Sequence, residues 1–273
     1  MIKVEVIADS VSPFGDRVTT MECTFHRFIL PEFNTYRMWS RSAASSRAIP
    51  TKRRIDEVRD NPAMPARFGK NQRGMVAEES LEGDALGEAV ATWLEASQAA
   101  ADYAQILAQL NVAKELVNRV LEPFSWHTSV VTASDFQNCF NQRIPVEAGA
   151  QSEFQVLASA MKDALDSSDP EMLLAGEWHL PYISDQEKRS RKLEDTKKAS
   201  VARVARTSYL KKEFDFDKDL DLYERLLSAD PPHLAPFEMV ATPCGIDNYK
   251  NHPGNLDGWL QLRHFVDGTI SED

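Results

Sequence analysis

Residues 2–28 read Ile2-Lys3-Val4-Glu5-Val6-Ile7-Ala8, a turn over Ser12-Pro13-Phe14-Gly15-Asp16, and then Arg17-Val18-Thr19-Thr20-Met21-Glu22-Cys23-Thr24-Phe25-His26-Arg27-Phe28. In the first run Ile2, Val4, Val6 and Ala8 share one face of a period-two chain, which predicts a strand over Ile2–Ala8. The second run is rich in Thr, Val and Phe and predicts a strand over Arg17–Phe28. Pro and Gly punctuate the short connection, so the two strands are expected to pair antiparallel.

After Pro31 the period changes. Pro31 suits the first turn of a helix, and Phe33, Tyr36, Trp39 and Ala43 recur at helical spacing, so a helix is expected there, limited by Pro50. Residues 51–79 are basic and irregular and are expected to form a long, partly exposed loop. From about Asp84 to Leu121, Ala, Leu, Glu and Gln dominate, which predicts a helical insertion with a break near Asn111. Helices are also expected over Ser134–Gln142 and Ala150–Leu165, the second with the apolar stripe Ala150, Phe154, Leu157, Ala158 and Met161. The Lys-rich stretch 185–200 reads as a solvated helix face or a mobile connector, and Asp219–Leu227 as a short amphipathic helix stopped by Pro231-Pro232. No repeat or linker divides the chain. Residues 1–273 are therefore expected to form a single α+β domain, a small antiparallel sheet packed by helices with an insertion over 84–121.

Composition narrows the function. The chain carries 31 Lys+Arg against 42 Asp+Glu, a net charge of −11, which repels a phosphate backbone and argues against sequence-independent nucleic-acid binding. A local arginine cluster can still hold a small anion. Apolar residues at 42% with only 11 Gly and 14 Pro argue against disordered and collagen-like classes. Cys23, Cys139 and Cys244 lack CxxC spacing, which argues against a disulfide framework or a zinc finger. No stretch is long and apolar enough for a membrane span, and the first residues lack a signal-peptide pattern, so a soluble, cytoplasmic protein is expected.

Three segments carry candidate chemistry. On a helix, Arg37, Ser40, Ala44 and Arg47 of Thr35–Arg47 fall on one face. Two arginines and hydroxyls with no acidic residue in the segment suit a phosphate, although a solvated basic face has the same pattern. The small residues Ala43-Ala44-Ser45-Ser46 would let a ligand approach the backbone closely. The second segment runs from Asn138 and Arg143 to Gln151 and Glu153, residues that also read as ordinary helix-end electrostatics. The third joins Arg203–Tyr209 to His233-Leu234-Ala235-Pro236-Phe237-Glu238, and a histidine there is by itself an unremarkable loop residue.

Taken together, these segments resemble the flavin-dependent thymidylate synthases, whose signature is Arg-His-Arg-x-x-Ser-x-Asn-Glu-x-Ser-x-Arg. Arg37, Ser40, Ser45 and Arg47 occupy its third, sixth, eleventh and last places, while Thr35 and Tyr36 replace the first Arg and the His, and Ser42 and Ala43 replace Asn-Glu. Asn138–Glu153 resembles the family's second motif, with two extra residues between Arg143 and Gln151. Arg119, ahead of Pro123, resembles a further family arginine. Ala205-Arg206-Thr207-Ser208, a strand motif in the family, and His233–Glu238 resemble elements that normally precede the signature, but here they follow it. The resemblance is thus to a divergent, phage-type, circularly permuted member, and Gly258–Arg263 is similar to that subgroup.

The resemblance implies FAD-dependent reductive methylation of dUMP to dTMP, with methylenetetrahydrofolate and NADPH as co-substrates. It implies Arg143 and Ser45 as catalytic residues, Arg143 stabilising charge on the uracil edge and Ser45 beside the base. Arg47 and Arg119 would hold the phosphate, with Gln151 also on the substrate. Arg37, Ser40, Asn138, His233 and Glu238 would contact the flavin. The family's homotetramer implies sites shared between subunits. The missing His and Glu leave room for hydroxymethylation or another modification of a different pyrimidine nucleotide, or for a non-catalytic nucleotide-binding protein. Cys139 reads as core, and no metal is called for.

Overall fold

Strand β1 (Lys3–Val11) turns through Gly15, which adopts a φ of +89°, and returns antiparallel as β2 (Arg17–His26). The computed structural model describes residues 1–74, 77–210, 213–245 and 254–270. Along the chain follow α1 (Leu30–Phe33), β3 (Ser40–Ala43), α2 (Thr51–Asp60), α3 (Gly83–Gln109), α4 (Lys114–Val120), β4 (Trp126–Ala133) and α5 (Gln137–Arg143). Then come α6 (Ser152–Asp166), β5 (Glu171–Met172), α7 (Asp185–Ser190), α8 (Leu193–Arg206), α9 (Phe216–Leu227), β6 (Ala241–Pro243), β7 (Trp259–Gln261) and α10 (Leu262–Val266). The fold is α+β, as expected. The main sheet has the order β3-β4-β2-β1-β5, and β6 pairs with β7 separately. The sheet is antiparallel except at its edge, where β5 runs parallel to β1.

β2 is the central strand, and its alternation decides the two faces of the sheet. Met21, Cys23 and Phe25 point into the main core with Val131 and Ala133 of β4, against Phe154, Leu157 and Met161 of α6. That stripe lies on α6 as the sequence predicts, and Phe154, Leu157, Ala158 and Met161 are fully buried. The opposite face is largely polar: Thr20 and Thr24 face Thr132 and Thr128 across the ladder, Glu22 faces Val130, and Thr20 and Thr132 share a 2.7 Å hydroxyl contact. A buried polar face needs polar partners. His179 supplies one, with Nε2 2.7 Å from Thr20 Oγ1 and Nδ1 2.9 Å from Ser10 Oγ.

Three local expectations are overturned. The helix expected from Pro31 through Ala43 ends at Phe33, and Ser40–Ala43 form an edge strand paired with Ser129–Thr132. Serines are poor in a helix interior, and an open edge of β4 offers their backbone a ladder instead. Tyr36 and Trp39 then stack on one another at 4.5 Å rather than forming a helical stripe. The shared helical face of Arg37, Ser40, Ala44 and Arg47 therefore does not exist. Second, the loop expected over 51–79 begins with helix α2, whose Lys52–Asp56 and Arg53–Glu57 pairs stand at i,i+4 and whose Ile55 and Val58 are buried; residues 75 and 76 of that stretch lie outside the described residues. Third, and only in part, 185–200 departs from the expected solvated helix face or mobile connector: α7 buries no residue, but α8 buries Thr196, Lys197, Ala199 and Ser200. The helical insertion stands as expected, with α3 and α4 separated at Asn111, which has a φ of +62°.

Candidate functional site

Segments far apart in sequence meet beside β3. The backbone N–H of Ser45 donates to the carbonyl of Ser208 at 3.1 Å, and the Ser42 hydroxyl donates to the carbonyl of Val204 at 3.1 Å. Ala205–Ser208, a strand in the resembling family, is here the end of α8 and a following 3-10 turn. It nonetheless lies directly against the chain that carries Ser45.

The ten candidate residues fall into separate groups. Arg47 and Arg119 each face a different glutamate: Arg47 Nε lies 3.8 Å from Glu115, and Arg119 donates to Glu122 Oε1 at 2.8 Å. The same Glu122 oxygen accepts from Ser46 at 2.7 Å and from Arg27 at 3.0 Å. Both arginines remain more than half exposed, at 78% and 54% of the side chain. Such pairs contribute little in water, and an incoming phosphate can displace them.

Arg143 closes α5 and is held from three sides. Its Nε donates to the Tyr36 hydroxyl at 2.9 Å, its guanidinium lies over the Phe154 ring at 4.9 Å, and Glu32 stands 3.6 Å away. Burial pushes the Tyr36 hydroxyl pKa up, so it stays a neutral acceptor. Asn138 and Arg37 are exposed. Neighbouring Cys139 is buried core, with its thiol pushed up to about 11 by burial, as expected of a non-reactive cysteine.

Ser40 is buried rather than open. Its hydroxyl accepts from Gln261 Nε2 and from Asn255 Nδ2, each at 3.1 Å, and Gln261 also donates to the Glu238 carbonyl at 2.7 Å. Glu238 pairs through its carboxylate with Arg263. Gly258–Arg263 therefore braces the start of β3. Gly258 has a φ of +77°, and a Cβ there would stand 2.5 Å from Asp16, so only glycine fits. His233 is exposed beyond α9 and joins none of these groups through its side chain. Gln151 is exposed at the start of α6 and lines a cleft of about 410 Å³ with Trp93 and Arg67.

A cavity of about 960 Å³ lies elsewhere: over the polar sheet face, between α2 and the end of α8. Glu22, Thr24 and Thr128 line it from the sheet, Arg53 and Arg54 from α2, and Trp126 and Phe214 from aromatic walls. None of the ten candidates lines it, but Pro50 and Thr207, flanking the Ser45–Ser208 contact, do. Arg54 is 5% exposed and donates to Glu57 and to the Trp126 carbonyl, both at 3.0 Å. Burial lowers its pKa. Sequence reasoning missed Arg54 because it took α2 for a loop; the i,i+4 pairs around Ile55 and Val58 were the available signal. The cavity offers hydroxyls, aromatic rings and a mixed charge lining, with Lys3, Lys52, Arg53, Arg54 and Arg203 beside Glu22, Asp56, Glu57 and Asp60, in a volume of nucleotide size. Among the described residues no cluster of His, Cys, Asp or Glu could hold a metal, and no helix is long and apolar enough to cross a membrane.

No family model and no curated protein matches the chain. Among solved structures it is similar to the UMP/dUMP methylase PolB from Streptomyces cacaoi bound with 5-Br UMP, at 16% identity and a TM-score of 0.50, over 63% of this chain and 90% of that one. The same protein with 5-Br dUMP superposes at 16% identity and 0.49, over 63% and 91%. Thymidylate Synthase X from Helicobacter pylori, with FAD and dUMP, shares 22% identity at a TM-score of 0.36, over 54% and 67%. Over about 63% of its length the chain thus shares the fold of PolB.

Proposed function

We propose that this chain is a flavin-dependent enzyme that methylates C5 of dUMP, with FAD as cofactor and methylenetetrahydrofolate and NADPH as co-substrates. One observation carries the reading. Ser45, at the end of the arginine signature, meets Ser208 of the segment that the resembling family places before that signature. Convergence in space despite inverted order is what a circular permutation of that family predicts. PolB's fold is consistent with the same chemistry.

Exposed Arg37 and Asn138 offer a flavin a cation and an amide, whereas the rings of Trp126 and Phe124 line a separate cavity that neither of these residues lines. When bound, the flavin supplies the electrons that reduce the transferred one-carbon unit. The protein's own part is electrostatic. Arg143, with Nε held by Tyr36 and Nη1 3.6 Å from Glu32, exchanges Glu32 for the uracil edge, where negative charge develops as C5 becomes nucleophilic. Arg47 and Arg119 exchange their glutamates for the nucleotide phosphate. Ser45, anchored through its backbone, sits beside the base.

Purified protein should take up FAD at micromolar concentration and quench its fluorescence; a protein that binds no flavin as the assembled oligomer would end this reading. Arg143→Lys keeps the charge but loses the fork, so turnover should fall about 10²- to 10³-fold with little change in nucleotide affinity. Growth of a thymidine-requiring host on the expressed chain tests the product. A second reading, modification of a different pyrimidine nucleotide, is favoured by Tyr36 holding Arg143 where the family has a histidine. Failure of rescue by soluble, flavin-loaded protein would select it.

A further inference from the structure

None of the residues given a role in the proposed reaction lines the cavity of about 960 Å³ over the polar sheet face, yet its floor carries a built set of polar groups. Glu22, 8% exposed, accepts from the Tyr182 hydroxyl at 2.6 Å, and burial pushes the pKa of that hydroxyl up, so it stays a donor. A carboxylate has room for further donors. Two residues along β2, Thr24 faces Thr128 with a 3.1 Å hydroxyl contact. Two residues further the ladder reaches Trp126, whose carbonyl accepts from Arg54. Four residues of strand span about 13 Å, enough for a fused bicyclic ring hydrogen-bonded at both ends. Arg54 is 5% exposed and, among the described residues, donates through Nη1 alone, to Glu57 and the Trp126 carbonyl. Its Nε and Nη2 lack a protein acceptor among those residues, and a buried donor pair calls for one. Glu57 already balances the charge, so two neutral acceptors suit it better than an anion.

We propose that this cavity binds a 2-amino-4-oxopyrimidine ring, the chemistry shared by guanine and pterin, at a site separate from that of the uracil nucleotide. Glu22 selects a ring edge with two adjacent N–H donors. Guanine and pterin have that edge; adenine and cytosine place a ring acceptor beside the amino group, and uracil flanks its single N–H with carbonyls. Arg54 selects two adjacent neutral acceptors. Guanine offers O6 and N7 to such a fork, pterin offers the equivalent O4 and N5, and adenine puts its amino group there instead. Both poles of the cavity thus favour the same ring. Trp126, Phe124 and Phe214 supply faces on which it stacks. Lys3, Lys52 and Arg53 also line the cavity, in ion pairs with Glu5, Asp56 and Glu57 that an anionic substituent of the ring can displace. The inference does not rest on the proposed function, because Ser45, Arg47, Arg119 and Arg143 lie outside this cavity.

Calorimetric titration of the full chain as purified should show GMP or 6-carboxypterin binding with a Kd below about 100 µM. GMP as the tighter ligand assigns a guanine nucleotide, and 6-carboxypterin as the tighter ligand assigns a pterin; binding of neither overturns the inference. Their counterparts without the 2-amino group, IMP and 6-carboxylumazine, should bind about 10- to 100-fold more weakly, the loss of one hydrogen bond to a charged acceptor. Glu22→Gln still accepts from Tyr182 but offers the ring edge a single acceptor, so it should erase that preference while the far-UV circular dichroism stays unchanged. Equal affinities for the paired ligands in the wild type, or a preference that survives Glu22→Gln, would overturn the inference without reference to any variant's activity. Saturating dUMP should leave the titration unaltered, and competition by dUMP would overturn the separate site. A chain that binds GMP or 6-carboxypterin but neither dUMP nor flavin would keep this inference and end the proposed function.

Discussion

Asp219→Ala should destabilise the protein by about 3–5 kcal/mol, the largest single-residue effect expected outside the apolar core. Asp219 lies on α9 with its side chain fully buried, accepting from Arg203 Nε at 2.8 Å and from Arg206 Nε at 2.7 Å. Arg203, only 4% exposed, also reaches Glu187 and donates to the Tyr182 carbonyl at 2.7 Å. Removing the carboxylate takes one partner from Arg203, which is buried and keeps Glu187, and takes from Arg206, 16% exposed, its buried carboxylate partner. That uncompensated desolvation, rather than the worth of the pair, sets the size of the effect. Asp221→Ala, on the exposed side of the same helix, should change stability by less than about 0.5 kcal/mol. Urea denaturation of both variants checks the pair, and equal midpoints would refute the argument. The network matters to the proposed site because Arg203 lies one turn before the segment that meets Ser45.

Acid should unfold the protein well before its surface carboxylates protonate. His179 and His127 are both held neutral by burial, with pKa values lowered to about 3, and the charges of Arg27 and Arg54 add to the effect at His127. His179 sits between two hydroxyls, and His127 Nδ1 is 3.0 Å from an Arg27 nitrogen. In the unfolded chain both would titrate near 6.5. The unfolded state therefore takes up protons that the folded state cannot, from pH 6.5 down to about 3, and stability falls with pH across that window. The slope is about 1.4 kcal/mol per pH unit for each histidine, or about 5 kcal/mol for the pair between pH 6.5 and 4.5. Glu187 acts in the same direction at lower pH, since the hydrogen bond from Arg203 lowers it to about 2 and its contribution is lost as pH falls below 4.5. Urea midpoints across this range should show the slope, and His179→Gln should halve it whatever its own cost at pH 7. A wild-type profile flat from pH 7 to 5 would refute the account.

The same residues show how far the chain could be read. The β1–β2 hairpin, the α6 stripe, the broken helical insertion and the buried, inert Cys139 were legible because each is a local pattern: a period of two, a period of 3.6, a positive-φ break, a cysteine between core positions. β4 was not recognised, although it is the strand on which both β2 and β3 depend; Trp126-His127-Thr128-Ser129 lacks an apolar alternation because one of its faces packs on polar partners. Residues 51–60 read as a loop because their apolar positions are few, and the i,i+4 ion pairs were overlooked.

What the sequence by itself determined was the class of fold, the helical insertion and the set of arginine and serine segments worth following, since spacing and residue type survive without a structure. Which of those residues share a site was decided only by the tertiary structure. Ser40–Ala43 has weak helical preference and takes its conformation from the open edge of β4. That choice dissolved the expected basic helix face, brought Ser45 against Ser208, buried Ser40 under Gln261 and left His233 apart. Backbone pairing between distant segments carries no local sequence period, so no reading along the chain could have supplied it.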